Sequence, residues 1–154
     1  MSKYFGTDGF RGEANKVLKA DDAYKIGRYL GWYYSREHRG RIVIGKDTRR
    51  SSYMFEYALV AGITASGSDA FLLHVTTTPS VAYVVRTEEF DCGIMVSASH
   101  NPYYDNGIKI IDGNGHKIAS DIEEAMENYI DGIVEELPFA TGDAVGTATD
   151  YAIG

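Results

Sequence analysis

Apolar residues switch between two periods along the chain, and the switches mark its elements. Ile26, Leu30, Tyr33 and Tyr34 recur at helical spacing behind the acidic pair Asp21 and Asp22, which suits the positive end of a helix, so a helix is predicted over about 21–37. The β-branched run RIVIGK (41–46) predicts a buried strand and TRRSS a loop; Tyr53 to about Ser66, closed by Gly67, predicts a second helix. DAFLLHV (69–75) is a second apolar strand. In TTTPSVAYVVRTEEF, Thr78 is expected to cap a third helix with Pro79 at its first position. CGIMVS (92–97) and GIKIID (107–112) predict two more strands and GNGH a turn. Ser120, with Glu123 three residues later, forms a capping box that opens a last helix to about Val134.

Strand and helix alternate throughout, so the expected class is α/β: a three-layer α/β/α domain with a mixed, mostly parallel sheet of about four strands. The short link between the third and fourth strands permits one antiparallel pairing. No internal repeat is present. After Pro138 the chain turns to Ala, Thr, Gly and Asp without helical period. Residues 1–137 are therefore expected to form the domain, and 138–154 the start of a link toward a second domain.

Composition narrows the class of function. With 154 residues and 44% apolar positions the chain is long enough for one hydrophobic core. Fifteen Lys and Arg stand against 22 Asp and Glu, a formal charge of −7, which disfavours a nucleic-acid binder and leaves any anion to a local cluster. The lone cysteine, Cys92, forms no internal disulfide and is expected in the core. MSKYFGTDGF holds no secretory apolar stretch, and nowhere do about 18 apolar residues run together, so a soluble, cytoplasmic protein without a membrane partner is expected. His38, His74 and His116 share no ligand spacing, which argues against a zinc site. Tyr29, Tyr33, Tyr34, Tyr53 and Tyr57 fall at helical packing intervals rather than on a stacking platform.

Four segments carry candidate chemistry where strands end, the usual place for ligands in open α/β sheets. GTDGFRG (6–12) is expected to be irregular. Its Arg11 either offers a planar guanidinium to a phosphate or pairs with Asp8 in a tight turn. GKDTRRSS (45–52) lacks P-loop spacing, and its Lys46, Arg49 and Arg50 are either anion contacts or structural cations. In SASHNPYYDNG (97–107) the Asn-Pro pair forces an extended or turn backbone and projects Ser99 and His100. Adjacent Ser and His seldom align as a hydrolase pair, and no G-x-S-x-G elbow exists. An exposed Ser beside a cationic His suits a carried phosphoryl group, with His100, Arg11 and Lys109 as candidate partners; the alternative is a polar surface turn. Lys109, in GIKIID, either snorkels to the surface or enters the cleft beside the serine loop.

GTDGFRG, IGKDTRRSS, TTTPSVAY and SASHNPYYDNGIK, in this order and spacing, resemble the α-D-phosphohexomutase family and cover nearly the whole chain. The wording of the first and last is most similar to its branch acting on glucosamine phosphates. The resemblance implies the family's domain I fold, with Ser99 as a phosphoserine whose phosphate oxygen is also a ligand of Mg²⁺. Arg11 and Lys109 would flank the moving phosphoryl group, with Lys109 carrying a proton, and His100 would shape the loop. Asn101, Thr7, Lys46 and Arg49 would contact substrate or its phosphate. The implied reaction interconverts glucosamine 6-phosphate and glucosamine 1-phosphate through glucosamine 1,6-bisphosphate, with three further domains of the same polypeptide as partners. The family's D-x-D-x-D-R metal loop, its sugar-reading loop and its distal phosphate-gripping loop have no counterpart here, so this chain alone is expected to fold without turning over. Alternatives are a glucose or mannose phosphate substrate, or a non-catalytic module that binds phosphosugars or a partner protein.

Overall fold

The computed structural model describes residues 3–152. A short hairpin of β1 (Phe5–Gly6) and β2 (Gly9–Glu13) leads into α1 (Ala20–Tyr34). Then follow β3 (Arg41–Lys46), α2 (Arg50–Ala65), β4 (Asp69–Val75), α3 (Thr78–Thr87), β5 (Cys92–Val96) and β6 (Asp105–Asp112). The helix α4 (Ser120–Ile130), a 3₁₀ turn at Gly142–Ala144 and β7 (Ala148–Asp150) complete the described chain.

The strands form one sheet in the order β1-β2-β6-β5-β3-β4-β7. Strand alternation sends Ile42, Ile44, Ile94 and Ile110 to one face, where α1, α2 and α4 bury Ile26, Leu30, Leu59 and Met126 against them. Val43, Met95 and Ile111 face the other side and meet Val81, Val84 and Val85 of α3. Each fully buried Leu or Ile contributes about 1.5–3 kcal/mol, so the two layers account for the bulk of the stability. Cys92 is fully buried, and burial raises its thiol pKa well above the ordinary value.

The three-layer α/β class matches the expectation, but the sheet is wider than four strands. Its six pairings divide evenly, three parallel and three antiparallel, the permitted β5–β6 pair among the latter. GTDGFRG is not an irregular segment: its second half is a strand paired antiparallel with β6, Arg11 opposite Gly107 and Phe10 opposite Ile108. Gly9, at φ +91°, makes this possible, because a Cβ there would lie 2.9 Å from the Lys109 Cα. Phe10 is buried and stacks on Tyr4 at 4.9 Å. The hairpin is tied down by Glu127 of α4, whose carboxylate accepts the backbone N–H groups of Lys3, Tyr4 and Phe5.

Two caps differ from expectation. Thr77, not Thr78, caps α3, its hydroxyl accepting from the Ser80 amide. Ser120 is already helical, and Glu123 turns instead to Lys117 at 2.8 Å. The segment after Pro138, expected as a link, is laid along the domain: β7 pairs in parallel with β4, and Tyr151 packs edge-on against Phe71 and Phe90. Arg28, fully buried in α1, donates to the carbonyls of Leu137 and Pro138, to Ser66 and to Glu136, and stacks 3.7 Å from the Phe139 ring centre. Helices α1 and α2 touch backbone to backbone. A Cβ on Gly31 would sit 2.7 Å from the Ile63 carbonyl, and one on Gly62 2.6 Å from the Arg28 nitrogen.

Candidate functional site

β3 and β5 are parallel neighbours whose outgoing and incoming connections cross on opposite faces: α2 leads from β3 to β4, and α3 brings the chain back past β3 to β5. Loops leaving the C-terminal ends of two such strands diverge and open a crevice. Here the loops after Lys46 and Val96 bound a cleft of about 820 Å³ lined by Asp47, Arg49, Arg50, Tyr53, Ser99 and Asn101 among others.

Ser99 stands exposed at the cleft edge with φ +51°. A non-glycine residue in the left-handed region costs about 1–2 kcal/mol, so the loop must hold it there. Its N–H donates to Ser97 Oγ at 3.0 Å, and its carbonyl accepts from Arg49 Nη2 at 2.6 Å. Its side chain faces β2, where Arg11 Nη2 donates to Ser99 Oγ at 3.4 Å. Arg11 retains donors: its buried Nε has no partner among the described residues. Lys109 is half-buried on β6, and the register puts it on the same sheet face as Arg11, one strand over. His100 is exposed beside Ser99, while Asn101 closes the loop by donating from Nδ2 to Asp105 at 3.2 Å. Ser99, Arg11, His100 and Asn101 thus share one loop and its neighbouring strand, with Lys109 on the same side of the sheet.

Three residues expected to contact substrate are placed differently. Thr7 lies in the hairpin turn, exposed, four residues along from Arg11 on the side away from the Ser99 loop. Lys46 is 2% exposed and forms a buried ion pair with Glu56 at 3.0 Å, because its strand position points it under α2 rather than into the cleft. Arg49 lines the cleft, yet all five of its N–H donors are taken. Nε meets Asp47, Nη1 the carbonyls of Pro102 and Asp105, and Nη2 those of Ser99 and Asn101. It grips the loop and has no donor left for a phosphate. The open alternatives for Lys46 and Arg49 thus resolve to structural cations, whereas Arg50 is exposed in the cleft wall.

Asn106 had no sequence signal beyond standing before a glycine. It is fully buried, donates to Ser51 and Ser52 at the start of α2, and accepts the Gly107 N–H. Asp47 completes this web by accepting from Ser52 Oγ at 2.7 Å and from the Arg49 amide at 3.0 Å. Burial pushes its carboxyl up, but the hydrogen bonds from Ser52, Arg49 and Ser97 outweigh this and hold it below the usual range. Among the described residues no group of three or more His, Cys, Asp or Glu is placed to hold a metal ion. The carboxylates of the serine loop and the loop facing it, Asp47 and Asp105, are engaged as described. The residues present do not by themselves fit a Mg²⁺ centre.

The family model described as phosphoglucomutase/phosphomannomutase, alpha/beta/alpha domain I, matches residues 2–136. The chain belongs to this family. Over its full length this phosphohexomutase domain is 65% identical to the phosphoglucosamine mutase of Lachnoclostridium phytofermentans, covering 34% of that protein. It is 51% identical over 147 residues to the phosphoglucosamine mutase of Mesorhizobium japonicum, covering 94% of the chain and 32% of the relative. Among solved structures, a phosphoglucomutase/phosphomannomutase family protein of Burkholderia thailandensis superposes with a TM-score of 0.78 at 27% identity, covering 98% of the domain and 34% of that protein. The domain therefore spans about a third of the length of the curated relatives it matches.

Proposed function

We propose that residues 1–137 are the phosphoserine-bearing domain of a phosphoglucosamine mutase, and that Ser99 carries the phosphoryl group between glucosamine 6-phosphate and glucosamine 1-phosphate. The observation that carries this reading is the exposed Ser99 hydroxyl, held in a strained backbone conformation at the crevice with Arg11 against it. A phosphoserine brings about −1.5 to −2 charges, and the end of the Arg11 guanidinium that already reaches the Ser99 hydroxyl would meet them. Phospho-Ser99 gives its phosphoryl to the free hydroxyl of the sugar phosphate, which loses its proton; the resulting 1,6-bisphosphate turns and returns the other phosphoryl to the Ser99 hydroxyl. Arg11 and Lys109 would offset charge on the equatorial oxygens, and the proton lost by the sugar hydroxyl would end on the Ser99 oxygen that the phosphoryl group leaves, with Lys109 as the carrier that donates one proton and takes up the other. The amino-sugar substrate is favoured over glucose or mannose phosphate by the 65% identical relative. Carboxylates for Mg²⁺ and the grip on the distal phosphate would come from outside these residues, in a cytoplasmic enzyme.

The test is peptide mapping of the full-length polypeptide after incubation with glucosamine 1,6-bisphosphate. One phosphoryl group on Ser99, and loss of interconversion in Ser99→Ala, are expected. Incorporation elsewhere, or full turnover in Ser99→Ala, would overturn the reading.

A further inference from the structure

We infer that Arg49 is the positioning residue that holds Ser99 in its left-handed, outward-facing conformation, acting on the loop backbone and not on the phosphate. Arg49 is the N-cap residue of α2, so its Cα is fixed by a helix that is itself packed against α1. From there its guanidinium reaches four carbonyls of the segment Ser99–Asp105, two of them at 2.6 Å. Four oxygens that converge on one point cannot do so in an extended loop, and their mutual repulsion is relieved only by a planar cation with a fork of donors.

The grip acts directly on the serine. Ser99 has both backbone polar groups engaged, N–H to Ser97 and C=O to Arg49, which locks the peptide planes on either side of its φ of +51°. Asp47 orients the fork from behind through Arg49 Nε at 2.8 Å and is itself fixed by Ser52. Lysine keeps the charge at this position but offers at most three donors from a single point, too few for four carbonyls and a carboxylate. The cation is therefore neutralised within the loop, and Arg11 is left to meet the phosphoryl group. Only the catalytic consequence of this inference rests on the mutase reading.

The test uses Arg49→Lys and Arg49→Ala in the full-length polypeptide, with two readouts. Amide hydrogen exchange should speed up roughly tenfold or more at Ser99, Asn101 and Asp105, whose N–H groups are bonded within the loop, while amides of β3 and α4 keep their protection. In phosphoryl transfer, kcat should fall by roughly a hundredfold in both variants with KM changed by less than about threefold, as expected when a reacting group is misplaced and the substrate is not. Millimolar guanidinium ion should restore part of kcat in Arg49→Ala, and urea at the same concentration should not. Unchanged exchange at the three amides, or a kcat preserved by lysine, would overturn the inference. Should the unmodified polypeptide take up no phosphoryl at Ser99, the mutase reading fails, and the exchange data alone decide the role of Arg49.

Discussion

Arg11 and Ser99 stand 88 positions apart in the chain, yet the Nη2 of one donates to the Oγ of the other at 3.4 Å. The bond is long for its type, and the Arg11 Nε beside it is buried without a partner among the described residues. Of the two arginines that touch Ser99, Arg49 is fully spent and Arg11 is not. A phosphoryl group on Ser99 would meet the Nη end of Arg11, which already touches the hydroxyl. Its second ionisation, near pH 6 for a free phosphoserine, should therefore shift down, since a neighbouring cation favours the dianion. Titration of phospho-Ser99 by ³¹P NMR should show this shift, and Arg11→Ala should move the value back up toward about 6.

The left-handed backbone at Ser99 separates two ways of removing its hydroxyl. Alanine keeps the strain and glycine relieves it, so Ser99→Gly should be more stable than Ser99→Ala by about 1 kcal/mol in urea unfolding. Neither variant should take up phosphoryl. Equal stabilities would mean that the loop relaxes once the side chain is gone.

Lys46 and Glu56 give a prediction of opposite kind. Both are almost fully buried, and removing one leaves the other uncompensated. Glu56→Ala should cost about 3–5 kcal/mol, while the double change Lys46→Met with Glu56→Leu should come within about 1–2 kcal/mol of the unmodified protein. Because Lys46 is turned under α2, the double variant should still take up phosphoryl at a rate within a few-fold. A complete loss without unfolding would return Lys46 to the site.

Glu127 links stability to acid. Burial raises its pKa, but the amides of Phe5, Lys3 and Tyr4 lower it further than burial raises it, so the net value lies below the usual one. A carboxyl whose folded pKa is depressed stabilises the fold above its unfolded pKa, about 4.3 for Glu, and that contribution is lost as pH falls through the folded value. Glu127→Gln should therefore destabilise by about 1–3 kcal/mol at pH 7, with the gap to the unmodified protein closing below about pH 4. Urea midpoints at the two pH values decide this.

The central strands and all four helices were legible because their apolar periods match the faces they bury, as with Ile42 and Ile44 against Val43. β2 was not, since glycines that look like turn residues serve there to let two strands approach; Phe10 alone marked a buried position. β7 could not be foreseen, because its three residues are all exposed and it is held by backbone pairing with β4 and by Asp150 reaching His74, neither of which an apolar period displays. At the site, Ser99 and Arg11 were visible as an exposed serine motif and a bracketed guanidinium. Lys46 and Arg49 were not distinguishable from phosphate binders, because what sets them apart is Glu56 in the next helix and a set of carbonyls that no side-chain pattern displays.

The glycines between α1 and α2 give the crevice a stiff wall. With Gly31 and Gly62 already at backbone contact, α2 has no room to retreat toward α1. Through Arg49 that stiffness passes across the cleft to the stretch from Ser99 to Asp105, so the two walls are braced against each other and the crevice keeps its width.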